Sequence, residues 1–261
     1  RFLENSHEEY VLLSDCDTVM NIDYRDVFKF HTDKQADITV IYRHGQSPDT
    51  DKNVLYTVDP EGVVRDMLIK RGSDADCNYA VGMRLMSREL LIRLVKDCMA
   101  RNLPDFDRDL MQRNLGELRI CGYEYGGTAY TITSFSSYFN ANMALMDPKV
   151  RSSLFVPDHP IYTKVRDEMP ARYGLGSSAT NSLIADGCLI EGEVENCVLF
   201  RGVKIKKGAK LRNCVIMQNC VVGENTKLDY VVADKNVTFA DNRTMAGYQT
   251  YPVYVAKGGQ V

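Results

Sequence analysis

Two acidic residues stand directly after the first apolar run of this sequence. Residues 10–13 form a short apolar run, and Asp15 and Asp17 follow within four residues of its end. We expect a buried parallel strand that carries the acids at its carboxyl end, where open α/β sheets hold their ligands. Carboxylates two residues apart could hold Mg²⁺ while the ion keeps its waters and a phosphate. A solvated turn in which one Asp caps the next helix fits the same residues, so both interpretations stay open.

A group of basic residues between positions 201 and 212 is a second candidate site. The residues singled out as an effector or interface site are Arg201, Lys204, Lys206 and Lys207, followed by Lys210 and Arg212. They alternate with apolar residues, so in a strand they should point outward. They fit a solvated basic face, a pocket for a phosphorylated effector, or a surface that meets an acidic partner.

The eight cysteines do not form a metal-binding pattern. They include no CxxC pair and no histidine at metal-ligand spacing, so we expect buried free thiols in a reducing cytoplasm. Cys214 and Cys220 are six residues apart and could be neighbours around a coil, where a disulfide is the alternative. The four histidines are scattered, and each is expected at the surface or in packing.

The stretch 181–239 organises the second half of the chain. Apolar residues return every six positions in two rows, which are Cys197, Val203, Ala209, Val215 and Val221, and then Leu199, Ile205, Leu211 and Met217. A period of six with alternation inside each run predicts a parallel β-helix, in which each hexad forms one side of a three-sided coil. An antiparallel meander is the alternative, but its turns would not recur in step with this register.

Strand-like and helix-like segments alternate over residues 1–147. Strands are expected at 36–43, 54–59, 62–69, 79–86 and 118–125, and helices at 23–34, after Ser87, at 106–112 and at 135–146. This alternation predicts an α/β domain with a mostly parallel sheet. Residues 148–176 lose the pattern and are expected to be a linker with one strand at 161–163, before a β-helix domain at 177–261.

Composition excludes several classes of function. The net charge is −3, with 44% hydrophobic and 26% charged residues, an ordinary balance for a soluble globular protein. This charge gives no support for a nucleic-acid partner or an anionic membrane surface. We also see no membrane span and no signal peptide, so we expect a cytoplasmic protein.

An α/β domain followed by a left-handed β-helix is the plan of sugar-1-phosphate nucleotidyltransferases, and short motifs narrow the resemblance. They lie at 160–163 (PIYT), 170–174 (PARYG), 181–184 (NSLI), 187–188, 196–199 (NCVL), 138–142 (YFNAN) and 105–106 (DF). With these motifs the chain resembles bacterial glucose-1-phosphate adenylyltransferase. The resemblance implies an incomplete Rossmann-like nucleotidyltransferase domain over 1–147, with part of that domain expected before Arg1.

In such enzymes a sugar phosphate attacks the α-phosphorus of ATP, and Mg²⁺ neutralises the charge of the phosphates. The resemblance implies that Asp15 is the first metal carboxylate. The family's Glu-Lys-Pro lysine is lost or displaced, because residues 67–72 read MLIKRG and leave Lys70 as its remnant. The second metal carboxylate is replaced by Thr131, so Mg²⁺ should be held weakly, by Asp15 with some help from Asp17.

These departures favour a non-catalytic, regulatory-type subunit of glucose-1-phosphate adenylyltransferase in glycogen biosynthesis. We expect it to be weakly active or inactive alone, and to pair with a catalytic subunit in a hetero-tetramer or with itself in a homodimer. A sugar phosphate or a nucleotide is the expected small-molecule partner. Two alternatives are a competent nucleotidyltransferase that uses Asp15, Asp17 and Lys70, and a hexapeptide acyltransferase. Residues 177–261 contain no histidine for the chemistry of an acyltransferase.

Overall fold

The computed structural model describes residues 2–164 and 167–261. It divides the chain into two compact units, Arg1–Thr131 and Ile132–Val261, which are called unit 1 and unit 2 below. Among the described residues, no helix has both the length and the apolar character needed to span a bilayer.

Unit 1 contains one large sheet, one two-stranded sheet and three α-helices. The strands are β1 Tyr10–Ser14, β2 Thr18–Met20, β3 Ile38–Gly45, β4 Asn53–Val58, β5 Val64–Lys70, β6 Cys77–Ser87, β7 Ile120–Glu124 and β8 Ala129–Thr131. The helices are α1 Phe2–Asn5, α2 Tyr24–Asp33 and α3 Arg88–Ala100, followed by a π-helical turn at Phe106–Met111 and a 3-10 turn at Gln112–Asn114. Most predicted strands and helices of this unit are therefore confirmed, with bounds that differ by a few residues.

The large sheet is mixed rather than mostly parallel. Its order is β5-β4-β6-β3-β7, and β1 pairs with β6 beside β4. Among its described strands, β3 and β7 run parallel to each other. Strand β6 runs antiparallel to β1, β3 and β4, and β4 runs antiparallel to β5. The prediction of a parallel first strand is wrong because an apolar run specifies burial, and not direction.

Helices cover both faces of this sheet, as the apolar patterns predict. On one face α3 packs Leu90, Leu91 and Leu94 against the sheet, and on the other face α2 contributes Val27. Ser87 caps α3, because its hydroxyl accepts a hydrogen bond from the Leu90 amide at 3.2 Å. Met99, near the end of α3, is 77% exposed.

A bulge in β6 shapes the sheet beside Asp15. The register against β3 shifts between Ile41 and Tyr42, so that two residues of β6 lie opposite one step of β3. Gly82 lies in this bulge with a φ of +74°, a conformation that favours glycine. A Cβ atom at this position would overlap the Asp15 carboxylate. The bulge and its glycine therefore leave the space that this carboxylate occupies.

Unit 2 is a parallel β-helix that carries two helices. The helices are α4 Phe135–Ala144 and α5 Pro148–Leu154. The strands are β9 Arg172–Tyr173, β10 Ser178–Thr180, β11 Leu183–Ile184, β12 Leu189–Ile190, β13 Glu193–Glu195, β14 Val198–Leu199, β15 Lys204–Ile205, β16 Lys210–Arg212, β17 Val215–Ile216, β18 Val221–Val222, β19 Lys227–Asp229, β20 Val231–Ala233, β21 Thr238–Phe239, β22 Thr244–Ala246 and β23 Val253–Val255. They form three five-stranded parallel sheets, β9-β12-β15-β18-β21, β10-β13-β16-β19-β22 and β11-β14-β17-β20-β23, called the first, second and third sheets.

One side of each central coil has five residues instead of six. Val198 pairs with Val215, and Val215 with Val232, so successive turns are 17 residues apart, and not the 18 of three hexads. The missing residue falls between Ala209 and Cys214, both of which point inward. Since side chains alternate along a strand, this one-residue shift reverses which residues face the core.

The shift corrects part of the predicted inward rows. Cys197, Val203, Ala209, Leu199, Ile205 and Leu211 line the core as predicted, and the later inward residues are Cys214, Ile216, Cys220 and Val222. Val215, Val221 and Met217 were predicted inward and are not part of that core. The strict period of six failed because it was extended past the corner at Asn213, where the side shortens.

Asparagines form the corner where the side shortens. Asn181, Asn196 and Asn213 all have a positive φ, which asparagine tolerates better than most residues. Their side chains form a ladder, with Asn181 Nδ2 donating to Asn196 Oδ1 at 2.7 Å and Asn213 Nδ2 donating to Asp229 Oδ1 at 3.0 Å. The ladder satisfies polar side chains at the corner and keeps successive turns in step.

The cysteine arrangement also differs from the prediction. Cys214 stacks on Cys197, and its backbone amide donates a hydrogen bond to Cys197 Sγ at 3.4 Å. Cys220 lies on the next corner of the coil, so it is not the neighbour of Cys214 that the sequence spacing suggested. All eight cysteines are free thiols. Five of them are buried, as expected from the sequence, and they are Cys121, Cys188, Cys197, Cys214 and Cys220.

Residues 132–176 contain more structure than the expected linker. Phe139 of α4 packs on Val215 and Val232 of the third sheet, so α4 lies in unit 2, whereas the sequence placed it in the α/β domain ending at 147. Helix α5 was missed, although Asp147 caps it and Pro148 occupies its first position, a common helix start. The first coil begins with β9, before residue 177, and residues 161–163 form no strand.

The five-residue side can be tested with neighbouring substitutions. Ile216→Ala should lower the free energy of unfolding by about 2–4 kcal/mol, because Ile216 is fully buried in the coil core. Met217→Ala should cost less than about 1 kcal/mol, because Met217 is only half-buried and lies outside that core. Urea unfolding followed by circular dichroism measures both. A larger loss from Met217→Ala would contradict the shifted register.

Candidate functional site

The carboxyl end of β1 places Asp15 over the bulge of β6. The Asp15 amide donates a hydrogen bond to the Gly82 carbonyl at 2.9 Å, which fixes the backbone here. Burial raises the pKa of the Asp15 carboxyl above its ordinary value; the positive charges of Arg84 and Lys52 lower it, and the negative charges of Asp17 and Asp107 raise it. Asp15 therefore belongs to a cluster of charged groups rather than to an isolated turn.

The two-stranded sheet joins Asp17 to Thr131. Strands β2 and β8 pair antiparallel with Thr18 directly opposite Thr131. The Thr18 hydroxyl lies 3.3 Å from Asp17 Oδ1 and 3.4 Å from the Thr131 hydroxyl. Of the two acidic residues predicted from the sequence, Asp17 is thus the one that the structure links to Thr131, while Asp15 faces Gly82.

A second part of the cluster was not predicted as a site. Lys52 Nζ lies 3.1 Å from Asp105 Oδ1 and 2.8 Å from Asp107 Oδ2, and Arg84 forms an ion pair with Asp107 Oδ1. The Arg84 guanidinium also lies 5.1 Å from the centre of the Phe106 ring, a cation–π contact. The signal in the sequence was an arginine inside the apolar run 79–86, because a charge buried in a sheet needs a partner.

Local structure explains why these side chains meet. Arg84 lies on the long strand β6, opposite Leu13 of β1 and Val40 of β3. Asp105 caps the π-helical turn by accepting a hydrogen bond from the Arg108 amide at 2.9 Å, and this hydrogen bond lowers the pKa of the Asp105 carboxyl. The turn then presents Asp107, which is 8% exposed, to Arg84.

Lys70 is placed at the end of β5, opposite Asn53 of β4. Its ammonium group forms an ion pair with Asp74, four residues later. The charges that act on Asp15 come instead from Arg84 and Lys52. The structure therefore does not group Lys70 with Asp15, although the sequence named both as remnants of one site.

The donor set does not fit a tightly held Mg²⁺. Within residues 2–164 and 167–261 no three His, Cys, Asp or Glu side chains converge as metal ligands do. Arg84 and Lys52 already contact both oxygens of Asp107, which leaves Asp15 and Asp17 as the carboxylates for a cation. Weak Mg²⁺ binding at Asp15, with some help from Asp17, stays a prediction.

The basic residues of the β-helix do not share one face. Lys204 lies on the first sheet, whereas Lys210 and Arg212 lie on the second sheet and pair with Glu193 and Glu195 at 3.0 and 3.1 Å. Lys206 Nζ lies 3.6 Å from Asp241 Oδ1, which is two turns further along the β-helix, and Lys207 is exposed. Acidic residues of other turns thus offset much of the basic charge. Whether Lys204, Lys206 or Lys207 binds an effector or a partner stays a prediction.

Arg201 differs from the other basic residues because it lines a cavity of about 640 Å³ in unit 2. The apolar part of its lining includes Leu183, Val198 and Phe200, and the last two also pack against the cluster that contains Phe139 of α4. Arg201 Nη1 donates to the Lys164 carbonyl at 3.4 Å, and both residues lie at the cavity wall. Gln218 Oε1 also belongs to a lining residue, and it is buried without a hydrogen-bond partner among the described residues.

Comparisons with known proteins find sequence relatives for the residues of both units. Residues 168–250 match the family described as "GlmU-like, C-terminal hexapeptide". Over 257 residues the chain is 35% identical to the glycogen biosynthesis protein GlgD of Bacillus subtilis, with 98% of this chain and 65% of that protein covered. It is 36% identical to GlgD of Geobacillus stearothermophilus, with 78% of this chain and 50% of that protein covered. The chain is therefore similar in sequence to GlgD proteins.

Glucose-1-phosphate adenylyltransferases are also relatives. The enzyme of Thermotoga sp. strain RQ2 is 29% identical over 213 residues, which cover 79% of this chain and 50% of the enzyme. The chain thus spans from half to about two-thirds of the length of these curated relatives. The resemblance to glucose-1-phosphate adenylyltransferases and the left-handed hexapeptide β-helix predicted from the sequence are confirmed.

The raised pKa of Asp15 predicts that the substitution Asp15→Asn stabilises the folded protein, and that this effect depends on pH. A carboxyl group with a raised pKa in the folded protein opposes folding when it ionises, so wild type should lose stability as the pH rises through the raised value. Asp15→Asn should therefore raise Tm at pH 7, and this advantage should shrink as the pH falls toward the ordinary carboxyl pKa.

The matched control is Asp51→Asn, because the Asp51 side chain is 95% exposed. Its Tm should follow that of wild type at every pH. Thermal unfolding of the three proteins between pH 4 and pH 8 makes the comparison. A Tm of Asp15→Asn below that of wild type at pH 7 would show that the carboxylate stabilises the fold instead.

Proposed function

We propose that the chain is part of a regulatory-type subunit of glucose-1-phosphate adenylyltransferase that acts in glycogen biosynthesis. The proposal is supported by its similarity to GlgD over 98% of the chain, at 35% identity. In this proposal the protein is weakly active or inactive alone, and it modulates a catalytic partner subunit in a mixed oligomer. A homodimer is the alternative assembly.

The observation that carries the proposal is the pair Thr18–Thr131 beside Asp17. The resemblance expects a second metal carboxylate at Thr131, and the β2–β8 pairing places this residue next to Asp17, where such a carboxylate would be useful. A threonine hydroxyl adds no negative charge, so a magnesium ion bound to ATP would lose one of its two anchors. Substrate alignment and charge neutralisation would both weaken as a result.

The ion pair of Lys70 also supports the regulatory-type role. A lysine that binds a sugar phosphate must present its ammonium group to the phosphate. Lys70 pairs with Asp74, and its neighbours in sequence lack the expected motif. Packing residues of the fold are thus retained while the charged groups of the reaction are altered, which suits a subunit kept for assembly.

A competent nucleotidyltransferase that uses Asp15, Asp17 and Lys70 is the second candidate. Its supporting observation is that Asp15 and Asp17 both lie at the end of β1 and interact electrostatically. Charge reversal by Asp15→Lys should then abolish its turnover, whereas the regulatory-type subunit has little turnover of its own to lose.

Turnover of the full-length protein tests the proposal. With ATP, glucose 1-phosphate and Mg²⁺, release of pyrophosphate by the protein alone should be at least about 100-fold slower than by a catalytic adenylyltransferase, the usual scale of a lost charge-stabilising group. Addition of the protein to its catalytic partner should change the partner's kcat or KM. Robust turnover by the protein alone would exclude the regulatory-type role.

Arg201 is the best-placed of the predicted effector residues. It lies at the wall of the 640 Å³ cavity with Gln218, whose Oε1 atom is buried without a partner in the described part of the chain. Arginine binds phosphate oxygens through paired hydrogen bonds, while the apolar part of the lining could accept the carbon side of a sugar. We propose that the predicted sugar phosphate or nucleotide binds here.

Two charge reversals separate this cavity from the rest of the basic residues. Arg201→Glu should weaken binding of glucose 1-phosphate by about tenfold or more, the effect of losing a hydrogen bond to a charged group. Lys206→Glu should change the affinity by less than about threefold, because Lys206 lies outside the cavity lining beside Asp241. Isothermal titration calorimetry measures both, and equal binding by wild type and Arg201→Glu would end the effector proposal.

A further inference from the structure

Asp105 and Asp107 directly contact the two cations Lys52 and Arg84 near the end of β1. Asp15 interacts electrostatically with Asp17, Asp107 and both cations, and the place of these six residues is called the cleft below. Such a concentration of carboxylates would ordinarily attract a divalent cation. Here the cations come from the chain itself, on β6 and on the segment before β4.

The contacts show that these cations occupy the oxygens that a metal would need. Asp107 uses Oδ1 for Arg84 and Oδ2 for Lys52, the latter at 2.8 Å. Both oxygens of Asp105 lie within 3.2 Å of Lys52 Nζ, and Oδ1 also accepts from the Arg108 amide. A metal ion at this end of the cleft would have to displace an ammonium or a guanidinium group.

Arg84 is fixed in this position. It is 7% exposed, its guanidinium lies over the Phe106 ring, and its strand is held between β1 and β3. A buried guanidinium cannot lose its charge or leave for solvent without a large cost in free energy. Lys52 has more freedom, because its side chain is 42% exposed, yet its ammonium contacts two carboxylates at once.

We infer that Arg84 and Lys52 are built-in counter-cations that take the place of a divalent cation in this cleft. They neutralise Asp105 and Asp107 without a metal, and together with Thr131 they would account for the predicted weak Mg²⁺ affinity. If the two cations had no influence on metal binding, their removal would leave the affinity for cations unchanged. This inference deepens the proposed regulatory-type role, but its readout is cation binding by the protein alone, so either can fail without the other.

The test is a gain of metal binding, measured with Mn²⁺ alone. Free Mn²⁺ is followed by electron paramagnetic resonance during titration of wild type, Lys52→Met and Arg84→Met. Removal of one positive charge a few ångströms from the carboxylates should tighten Mn²⁺ binding by about tenfold or more. Lys52→Met is the primary variant, since its partly exposed position allows the protein to fold even if Arg84→Met does not.

Two further variants test whether the gain in Mn²⁺ binding comes from the carboxylates of this cleft. Arg65→Met removes a cation that is paired with Asp59 elsewhere on the same sheet, and it should leave Mn²⁺ binding unchanged. Asp107→Asn added to Lys52→Met should abolish the gain, because Asp107 is the carboxylate that Lys52 and Arg84 share. The inference is overturned if Lys52→Met binds Mn²⁺ no more tightly than wild type, or if Arg65→Met gains as much.

Discussion

A charge buried in a protein needs a partner inside the protein, and the ion pair between Arg84 and Asp107 meets this requirement in unit 1. Both residues are buried, so neither could keep its charge in an apolar surrounding without a partner. The pair connects the central strand β6 to the π-helical turn, and Lys52 extends it to Asp105. Three separate parts of the chain are therefore held together by charged contacts, namely β6, the π-helical turn and the residue before β4.

A related requirement governs unit 2, where backbone groups and corner side chains must be satisfied from one turn to the next. Asn196 and Asn213 adopt left-handed conformations at stacked corners, and their side chains are hydrogen-bonded along the stack. Because each turn is held to its neighbours in this way, a side of five residues is repeated faithfully in successive turns. The repeat leaves an apolar stripe on the outer face of the third sheet, which α4 covers in part.

In unit 1 the residues that pack the fold differ from the residues that the expected chemistry would need. Packing in unit 1 depends on Leu90, Leu91 and Leu94 and on strand pairing, and the reaction has no need of these residues. The chemistry depends on a few charges, and here one expected carboxylate is Thr131 and one expected phosphate-binding lysine is paired with Asp74. Proteins named for glycogen biosynthesis and for adenylyl transfer are both similar in sequence to this chain, and one fold can host different functions.

The sequence by itself determined most helices and strands and the β-helix, because apolar periodicity and helix caps depend on residues only a few positions apart. The start of helix α3 after Ser87 and the inward row from Cys197 to Leu211 could be inferred in this way. Only the tertiary structure decided the direction of β1, the shortened side at Asn213 and the meeting of Lys52, Arg84 and Asp107. Strand direction and the partners of a buried charge depend on contacts between residues far apart in the chain, and such contacts leave no local pattern in the sequence.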